Sequence, residues 1–268
     1  MSTAILQIDE SARKDRLFEG QRLVEDSLRE ADVAILPPVD VLESLRLIKT
    51  MDLKPTTIML DPWYNKGVGG VRDDYREYIL EILKEASDIA DHIYLWGFPE
   101  IVATFVERLP DPLRLVAWLT WYYKNNPSVI RGWRSSQMAC LHICRPGAKL
   151  YPEHFLNGAQ KEKQVQGKLR YMPGPTSVIE APLNIGFVGK KEQTGHPAQK
   201  PIAVFKPLLE MSSKEGDLVF DPMCGSGTTA DAAKLIGRKA IISDHSEEFT
   251  SIAEKRLGVG RLTFPYYI

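Results

Sequence analysis

An unusual set of side chains follows the buried-strand pattern TTIML, because residues 61–65 read DPWYN. Pro and Asn are common in turns and aromatic rings often close a core, so a plain strand end is one interpretation. The five positions nevertheless combine an acid, a proline, two aromatic rings and an amide where a strand needs only to turn. The choice between a turn and a reactive site depends on the rest of the chain.

A second segment, residues 216–249, reads GDLVFDPMCGSGTTADAAKLIGRKAIISDHSEEF. The pattern predicts a strand, a glycine loop, a helix and a second strand that ends at Asp244. Gly225 and Gly227 allow a tight turn and the close approach of a ligand to the backbone. An acid at the end of the second strand of a βαβ unit binds ribose hydroxyls, which is the role expected for Asp244. The segment therefore predicts a nucleoside site.

The surroundings of the glycine loop favour one kind of nucleoside. A dinucleotide fingerprint has a third glycine, whereas Ala230 stands at that position. Asp221 directly precedes the loop, where its charge would repel a phosphate and attract an ammonium. A cationic ligand without phosphate, S-adenosylmethionine, fits both observations.

Residues 196–201, HPAQKP, lie just upstream of the glycine loop. With DPWYN and DPMCGSGTT they make the chain resemble the amino-methylating DNA methyltransferases of the β class, which are circularly permuted. In that family a D/S-P-P-Y motif comes first, a target-recognition segment follows, and HPxQKP with a D-P-F-x-G-S-G-T loop comes last. All three motifs occur here in that order, and the resemblance covers roughly residues 36–258.

The resemblance implies a role for each motif. The Asp61 carboxylate and the Pro62 carbonyl would accept hydrogens of a target amine, adenine N6 or cytosine N4. Tyr64 would stack on the base after it leaves the duplex, and Trp63 completes the catalytic motif. The implied contacts to S-adenosylmethionine are Asp40, Lys200, Asp221, Pro222, Cys224, Gly225, Ser226, Gly227, Thr228 and Asp244.

Several of these assignments have alternatives. Asp40 matches an acid near the cofactor adenine, but it also suits the N-cap of the following helix. Lys200 could meet the methionine carboxylate or be an ordinary surface lysine. His196 is interpreted as structural rather than as an acid–base group.

Two positions depart from the family pattern. Trp63 replaces the usual second proline, which puts the shape of the pocket in doubt. The loop has Met223 and Cys224 before Gly225 and lacks the family's aromatic residue, so looser packing against the cofactor is expected.

Nucleic-acid contacts are predicted in three places. Lys66 follows the catalytic motif, and the stretch KNNPSVIRGWRSS offers Arg131, Trp133 and Arg134 for phosphates or an orphaned base. The middle of the chain carries a basic cluster. A plain strand connection and a solvated loop are the competing interpretations. The cluster consists of Lys161, Lys163, Lys168 and Arg170.

The order of strand-like and helix-like patterns predicts an α/β fold, a Rossmann-like methyltransferase fold with a mostly parallel sheet and helices on both faces. One helix is expected over residues 100–109, and residues 145–195 show little periodicity. The expected divisions are an N-terminal helical extension (1–35), a catalytic half (36–144), a target-recognition segment (145–195) and a cofactor-binding half (196–268).

Composition limits the class of protein but not its function. The 268 residues carry a net charge of −1, and three cysteines are too few for a disulfide framework. No apolar run is long enough to span a membrane, and no signal peptide is evident, so a cytoplasmic protein is expected. The stretch ACLHIC groups Cys140, His142 and Cys144, but we interpret it as a buried strand and expect no metal site.

The sequence thus predicts an S-adenosylmethionine-dependent DNA methyltransferase that acts on adenine N6. Asp61 favours adenine, since cytosine-N4 enzymes of the family more often carry Ser there. Cytosine N4 is the alternative target, RNA a less favoured substrate, and a binding protein with an inactive methyltransferase fold the alternative from another class. The resemblance also implies a restriction–modification context, in which the sequence does not tell whether a restriction partner exists, and a homodimer is a further expectation from it.

Overall fold

Strands and helices alternate along the computed structural model, which describes residues 10–65, 70–127 and 132–263. The strands are β1 (Val33–Ile35), β2 (Thr57–Leu60), β3 (His92–Gly97), β4 (Arg114–Tyr122), β5 (Gln137–Cys144), β6 (Val178–Glu180), β7 (Leu218–Asp221) and β8 (Lys239–Ile242). The helices are α1 (Glu10–Glu30), α2 (Val41–Thr50), α3 (Tyr75–Ser87), α4 (Pro99–Val102), α5 (Gly158–Val165), α6 (Ile202–Ser212), α7 (Thr228–Leu235) and α8 (Glu247–Leu257). Two 3₁₀ helices cover Ala103–Phe105 and Pro152–Phe155.

All eight strands join one sheet in the order β1-β8-β7-β2-β3-β5-β4-β6. The five strands from β1 to β3 pair in parallel, whereas β5 runs antiparallel to both of its neighbours. From β7 the chain continues outward to β8, and from β2 it continues in the opposite direction to β3. The gap between β7 and β2 is therefore a topological switch point, where open α/β sheets bind ligands beyond the carboxyl ends of the strands.

The sheet has a core on each face, as expected for parallel strands covered by helices. Ile58 and Leu60 of β2 pack into the cluster that contains α1, α2 and α3. Met59, between them, packs into the opposite cluster, which includes buried residues of α6, α7 and α8. This alternation follows from the period of two in a strand. The alternation therefore determines on which face of the sheet each strand residue lies.

The predicted α/β fold and the helices on both faces are confirmed. The helix expected over residues 100–109 is wrong, because regular structure there is limited to α4 and a 3₁₀ turn that ends at Phe105. The segment 145–195 contains more regular structure than its pattern indicated. It includes α5, which begins with a capping box of Asn157 and Gln160, and β6, which pairs with β4 at the sheet edge.

The stretch ACLHIC lies within β5, as predicted, and His142 belongs to a buried histidine pair. His92 Nε2 lies 3.0 Å from the carbonyl oxygen of Lys149, and His92 Nδ1 lies 3.1 Å from His142 Nε2. A carbonyl can only accept, so His92 Nε2 donates to it. Burial lowers the pKa of both histidines, that of His142 from 6.5 to about 3, so both rings are neutral at pH 7 and His92 Nδ1 then accepts from His142 Nε2. Across the described ranges, no group of His, Cys, Asp and Glu is placed to hold a metal ion, and no helix could cross a membrane.

The histidine pair predicts a loss of stability in acid. Below pH 6.5 the unfolded chain binds a proton at His142, whereas the folded protein binds one only near pH 3. The stabilisation is thus complete above pH 6.5 and decreases as the pH falls, by about 1.4 kcal/mol per pH unit for one such group. Urea unfolding at pH 7 and pH 5 should show a smaller decrease for His142→Phe than for the unmutated protein. Other titrating groups are common to both proteins, so equal decreases would contradict the neutral pair.

Candidate active site

A cleft of about 1510 Å³ opens at the carboxyl ends of β7 and β2. Small-molecule sites usually occupy roughly 300–1,000 Å³, so this cleft has space for two ligands. Three stretches of the chain supply about half of its lining residues: the DPWY turn after β2, residues 196–200, and the glycine loop after β7. The motifs that are far apart in sequence thus meet at one place.

The glycine loop adopts a conformation that only glycine allows without strain. Gly225 has φ +50° and Gly227 has φ +75°, both in the left-handed region. A Cβ atom at Gly225 would lie 2.9 Å from His196 Nε2, and one at Gly227 would lie 3.2 Å from Ala253 Cβ. Gly225 lines the cleft, whereas Gly227 lies behind it at the N-cap of α7. The loop therefore holds its backbone open to a ligand at Gly225.

Two buried acids hold this loop in place. Asp221 is 2% exposed, and its carboxylate accepts hydrogen bonds from the Met223 amide at 3.0 Å and from the Thr229 hydroxyl. Burial raises the pKa of Asp221 to about 7. Asp244 accepts from the Gly225 amide at 2.9 Å through Oδ2 and from the Ser246 amide at 2.9 Å through Oδ1. Both predicted ligand contacts line the cleft, but their present hydrogen bonds shape the loop.

Aromatic packing beside the loop comes from another element. Phe249 of α8 and His196 line the cleft, and their rings meet edge-on at 4.3 Å. Cys224 is buried, and Met223 packs against the core on the other face of the sheet. An aromatic wall is therefore present although the loop itself lacks the family's aromatic residue. The remaining predicted cofactor residues of the loop that line the cleft are Pro222, Ser226 and Thr228.

Asp40 serves as a helix cap and also faces the cleft. Its Oδ1 accepts from the Leu42 amide at 2.8 Å, which makes it the N-cap of α2. Its Oδ2 accepts from the Tyr78 hydroxyl at 2.9 Å, and both residues line the cleft. The two interpretations of Asp40 therefore do not exclude each other.

Asp61 is the acid at the end of β2, and its two carboxylate oxygens have different surroundings. Oδ2 forms an ion pair with the Lys200 ammonium. Oδ1 is shielded from solvent and has no hydrogen-bond partner within the described part of the chain. A buried acceptor without a partner is energetically costly, so Oδ1 is suited to a donor supplied by a ligand.

Lys200 is not a surface lysine, and that alternative is wrong. Its residue exposure is 3%, and its Nζ contacts both the Asp61 carboxylate and the Tyr64 hydroxyl, the latter at 3.2 Å. Burial lowers the pKa of Lys200, but the attraction of Asp61 and the Tyr64 contact more than offset this and raise it above the ordinary value. Lys200 is therefore a cation. The ring of Tyr64 packs against Phe98 at 4.7 Å, and burial raises the pKa of its phenol.

Trp63, at the position of the family's second proline, anchors the catalytic turn on α3. Its ring meets Tyr75 edge-on at 5.1 Å, and the Tyr75 hydroxyl donates to the Trp63 carbonyl at 2.8 Å. Asn65 then adopts φ +53°, and its side-chain amide pairs with the Arg72 backbone at 2.6 and 3.0 Å. Packing contacts thus replace the rigidity of the absent proline. Pro62 is buried and lines the cleft with Trp63.

The predicted nucleic-acid residues fall into separate groups. Trp133 is 94% exposed, and it lines the cleft together with the exposed Arg134. Lys66 and Arg131 lie outside the described residues. The basic cluster of the middle segment is exposed but does not line the cleft, and it consists of Lys161, Lys163, Lys168 and Arg170.

Sequence reasoning missed three residues that support the site. Phe249 and Tyr78 line the cleft from α8 and α3, where helical periodicity assigned them no particular role. Arg256 donates to the Thr228 hydroxyl at 2.8 Å and pairs with Asp231 at 3.0 Å. A basic residue in the last turn of a helix is too common to indicate such a contact.

Comparisons with known proteins agree with this architecture. A DNA methylase family model, of the N6/N4 type, matches residues 56–255. The type II methyltransferase M.HpaI of Haemophilus parainfluenzae is 28% identical over 217 residues, which are 75% of this chain and 67% of that protein. The M1.HpyAVI–SAM complex superposes with a TM-score of 0.66 at 19% identity, covering 85% of this chain and all of that one. The cytosine-N4-specific PvuII DNA methyltransferase gives a TM-score of 0.58 at 13% identity, with coverage of 84% and 88%.

A largely parallel α/β sheet with a glycine loop and a cleft at its switch point is the architecture of a nucleoside-binding protein of the methyltransferase fold. The family match covers most of the chain, and the chain belongs to the N6/N4 DNA methylase family.

Replacing Gly225 tests the loop conformation. Gly225→Ala should lower the free energy of unfolding by about 1–3 kcal/mol, because a left-handed alanine is strained and its Cβ meets His196. Gly158→Ala is the matched control, since Gly158 begins a helix, has no left-handed φ, and has open space around its added Cβ. Urea unfolding of both variants gives the comparison. Equal stability of the two variants would contradict the described loop.

Proposed function

We propose that this protein is an S-adenosylmethionine-dependent DNA methyltransferase that transfers a methyl group to adenine N6. The observation that carries the proposal is Asp61 Oδ1, a buried acceptor without a partner, in the same cleft as the glycine loop. The space of the cleft supports simultaneous binding of a nucleoside cofactor and a base. Membership of the DNA methylase family supports DNA as the substrate.

The residues of the loop fit S-adenosylmethionine. Gly225 has no Cβ to displace the His196 ring that lines the cleft beside it, and the loop offers no lysine or arginine to a phosphate among its cleft-lining residues. Asp244 adds negative potential, which favours a cationic ligand, and Asp221 adds to it in its ionised form, since burial raises its pKa to about 7. Asp40 and Asp244 are placed to approach the adenosine part, and Phe249 and His196 form an apolar wall. When bound, S-adenosylmethionine supplies an electrophilic methyl group on a positively charged sulfur.

The catalytic turn would activate the target amine. The lone pair of an exocyclic amine is delocalised into its ring, and this makes the nitrogen a poor nucleophile. Asp61 Oδ1 and the Pro62 carbonyl accept hydrogen bonds from the two amine hydrogens and favour a tetrahedral nitrogen. Its lone pair forms the new N–C bond while the methyl–sulfur bond breaks and leaves its electron pair on the sulfur. The methylated nitrogen then releases one proton to solvent. Alignment of the nitrogen with the methyl group is the main requirement, since no covalent enzyme intermediate is needed.

The base has to leave the duplex to reach this turn. Tyr64 lines the cleft and is held by Phe98 and Lys200, so its ring offers a fixed surface for stacking. Trp133 and Arg134 at the cleft wall are placed to stabilise the displaced strand. The exposed basic residues of α5 and the chain after it provide phosphate contacts, in agreement with a target-recognition role for residues 145–195.

Adenine is favoured over cytosine by Asp61, because cytosine-N4 enzymes of the resembling family more often have Ser at that position. Tyr64 can stack on either base, so the preference for adenine over cytosine depends on Asp61. Cytosine N4 would use the same cleft and the same transfer.

Replacing Asp61 tests the proposed chemistry. Unmethylated genomic DNA is incubated with S-adenosylmethionine carrying a labelled methyl group, and the rate of label incorporation is measured. Asp61→Ala should lower this rate about 100- to 1,000-fold, because a hydrogen-bond acceptor aimed at the reacting group is removed. Calorimetry should show that the variant still binds S-adenosylmethionine, since the glycine loop is unchanged.

Asp88→Ala is the control, because Asp88 forms only a surface ion pair with Lys49. It should keep the incorporation rate of the unmutated protein. A loss of cofactor binding in Asp61→Ala would contradict the assigned role of Asp61. Cofactor binding by the unmutated protein without any incorporation would favour a protein that retains the fold but not the reaction.

Replacing Trp133 tests the proposed nucleic-acid wall. Trp133→Ala should weaken DNA binding about tenfold, because one stacking contact is lost, while stability stays unchanged at so exposed a position. Phe18→Ala, an exposed aromatic residue on α1 outside the cleft, should bind DNA normally. Fluorescence anisotropy with a labelled duplex measures both. Equal affinities would place Trp133 outside the DNA interface.

A further inference from the structure

The Lys200 side chain joins the two functional parts of the catalytic turn. Its Nζ contacts Asp61 Oδ2 and the Tyr64 hydroxyl, and it lies 5.4 Å from the centre of the Trp96 ring. The ammonium can only donate hydrogen bonds, so the oxygens it faces are held as acceptors. One carboxylate oxygen of Asp61 is thereby engaged, and the other, Oδ1, has no hydrogen-bond partner among the residues that the structure describes.

The Lys200 backbone is tied to the glycine loop. Its carbonyl oxygen accepts a hydrogen bond from the Thr228 hydroxyl at 3.1 Å, at the first residue of α7. The same hydroxyl accepts from Arg256 Nη1 at 2.8 Å, and Arg256 pairs with Asp231. A continuous set of polar contacts therefore runs from α8, through Thr228 and Lys200, to Asp61. Each side chain in this set is largely removed from solvent except Asp231 and Asp61, which are partly exposed.

We propose that Lys200 is a positioning residue for methyl transfer, which orients the Asp61 carboxylate and Tyr64 relative to the cofactor loop. This inference rests on the proposed function. Rotation of the Asp61 carboxylate would break the ion pair, so Oδ1 is presented to the amine in a fixed direction. A cofactor carboxylate would have to compete with Asp61 for this buried cation, so the geometry favours positioning over direct cofactor binding.

Kinetics and binding separate these two roles. Lys200→Met should lower the single-turnover rate at saturating S-adenosylmethionine about 100-fold, since misplacement of a reacting group by about 1 Å has that effect. The Kd for S-adenosylmethionine should change less than about threefold, which is well below the tenfold change that about 1.4 kcal/mol of binding free energy would cause. Lys206→Met, at a half-exposed lysine of α6, is the control and should match the unmutated protein.

A large increase in Kd with an unchanged rate at saturation would overturn the proposal and support direct cofactor binding. An unchanged rate at saturation together with an unchanged Kd would also overturn it, because Lys200 would then position no group that the reaction uses.

Unfolding measurements test the ion pair independently of activity. Removal of either partner leaves the other charged and buried, so Lys200→Met and Asp61→Asn should each destabilise the protein. The double variant should lose less stability than the sum of the two single losses, and it should fold even where Lys200→Met alone does not. Additive losses would overturn the inference. Non-additive losses in a protein that methylates no nucleic acid would refute the proposed function while leaving the pairing of Lys200 with Asp61 established.

Discussion

The parallel pairing of β2 with β7 is the constraint on which the site depends. The last register pair joins Ile58 to Phe220, so Asp221 follows one residue later and Asp61 three residues later at the same sheet edge. Because the chain leaves these two strands in opposite directions, the edge between them stays open and becomes the cleft. Asp61 and Asp221 meet because β2 and β7 are adjacent and parallel in the sheet. The order in which the two strands occur along the chain does not affect this.

Burial makes the polar groups around the cleft depend on one another. Asp221 and Asp244 are almost wholly removed from water. Asp221 joins the Met223 amide of the glycine loop to the Thr229 hydroxyl of α7, and Asp244 joins the Gly225 amide to the Ser246 amide after β8. Lys200 is buried and is held by Asp61 and Tyr64. In a medium of low dielectric constant such groups require partners, so a change at one is transmitted to the next. Asp61 Oδ1 is a buried carboxylate oxygen without a hydrogen-bond partner in the described part of the chain, and it is the atom at which the proposed chemistry takes place.

Much of this arrangement could be predicted from residues whose local chemistry is strong. Gly225 and Gly227 specify a tight loop, and the alternation around Met59 specifies a sheet covered on both faces. The contact of Lys200 with Asp61 could not be predicted, since 139 positions separate them and the sequence alone does not give the register of β2 and β7. The helix expected over residues 100–109 failed because its apolar spacing is satisfied by a short turn around buried Val102 and Phe105. The pairing of β6 with β4 could not be predicted, because the three residues of β6 are exposed or half-exposed and show no clear alternation of apolar and polar types.

The central claim is that the amine held by Asp61 belongs to adenine. Nucleoside mass spectrometry of unmethylated genomic DNA, after incubation with the protein and S-adenosylmethionine, measures the product directly. The account predicts N6-methyladenine and no other new modified base. Formation of N4-methylcytosine would be consistent with the proposed cleft and methyl transfer but would contradict adenine as the target base. The absence of any methylated base despite cofactor binding would contradict the claim that this protein methylates DNA.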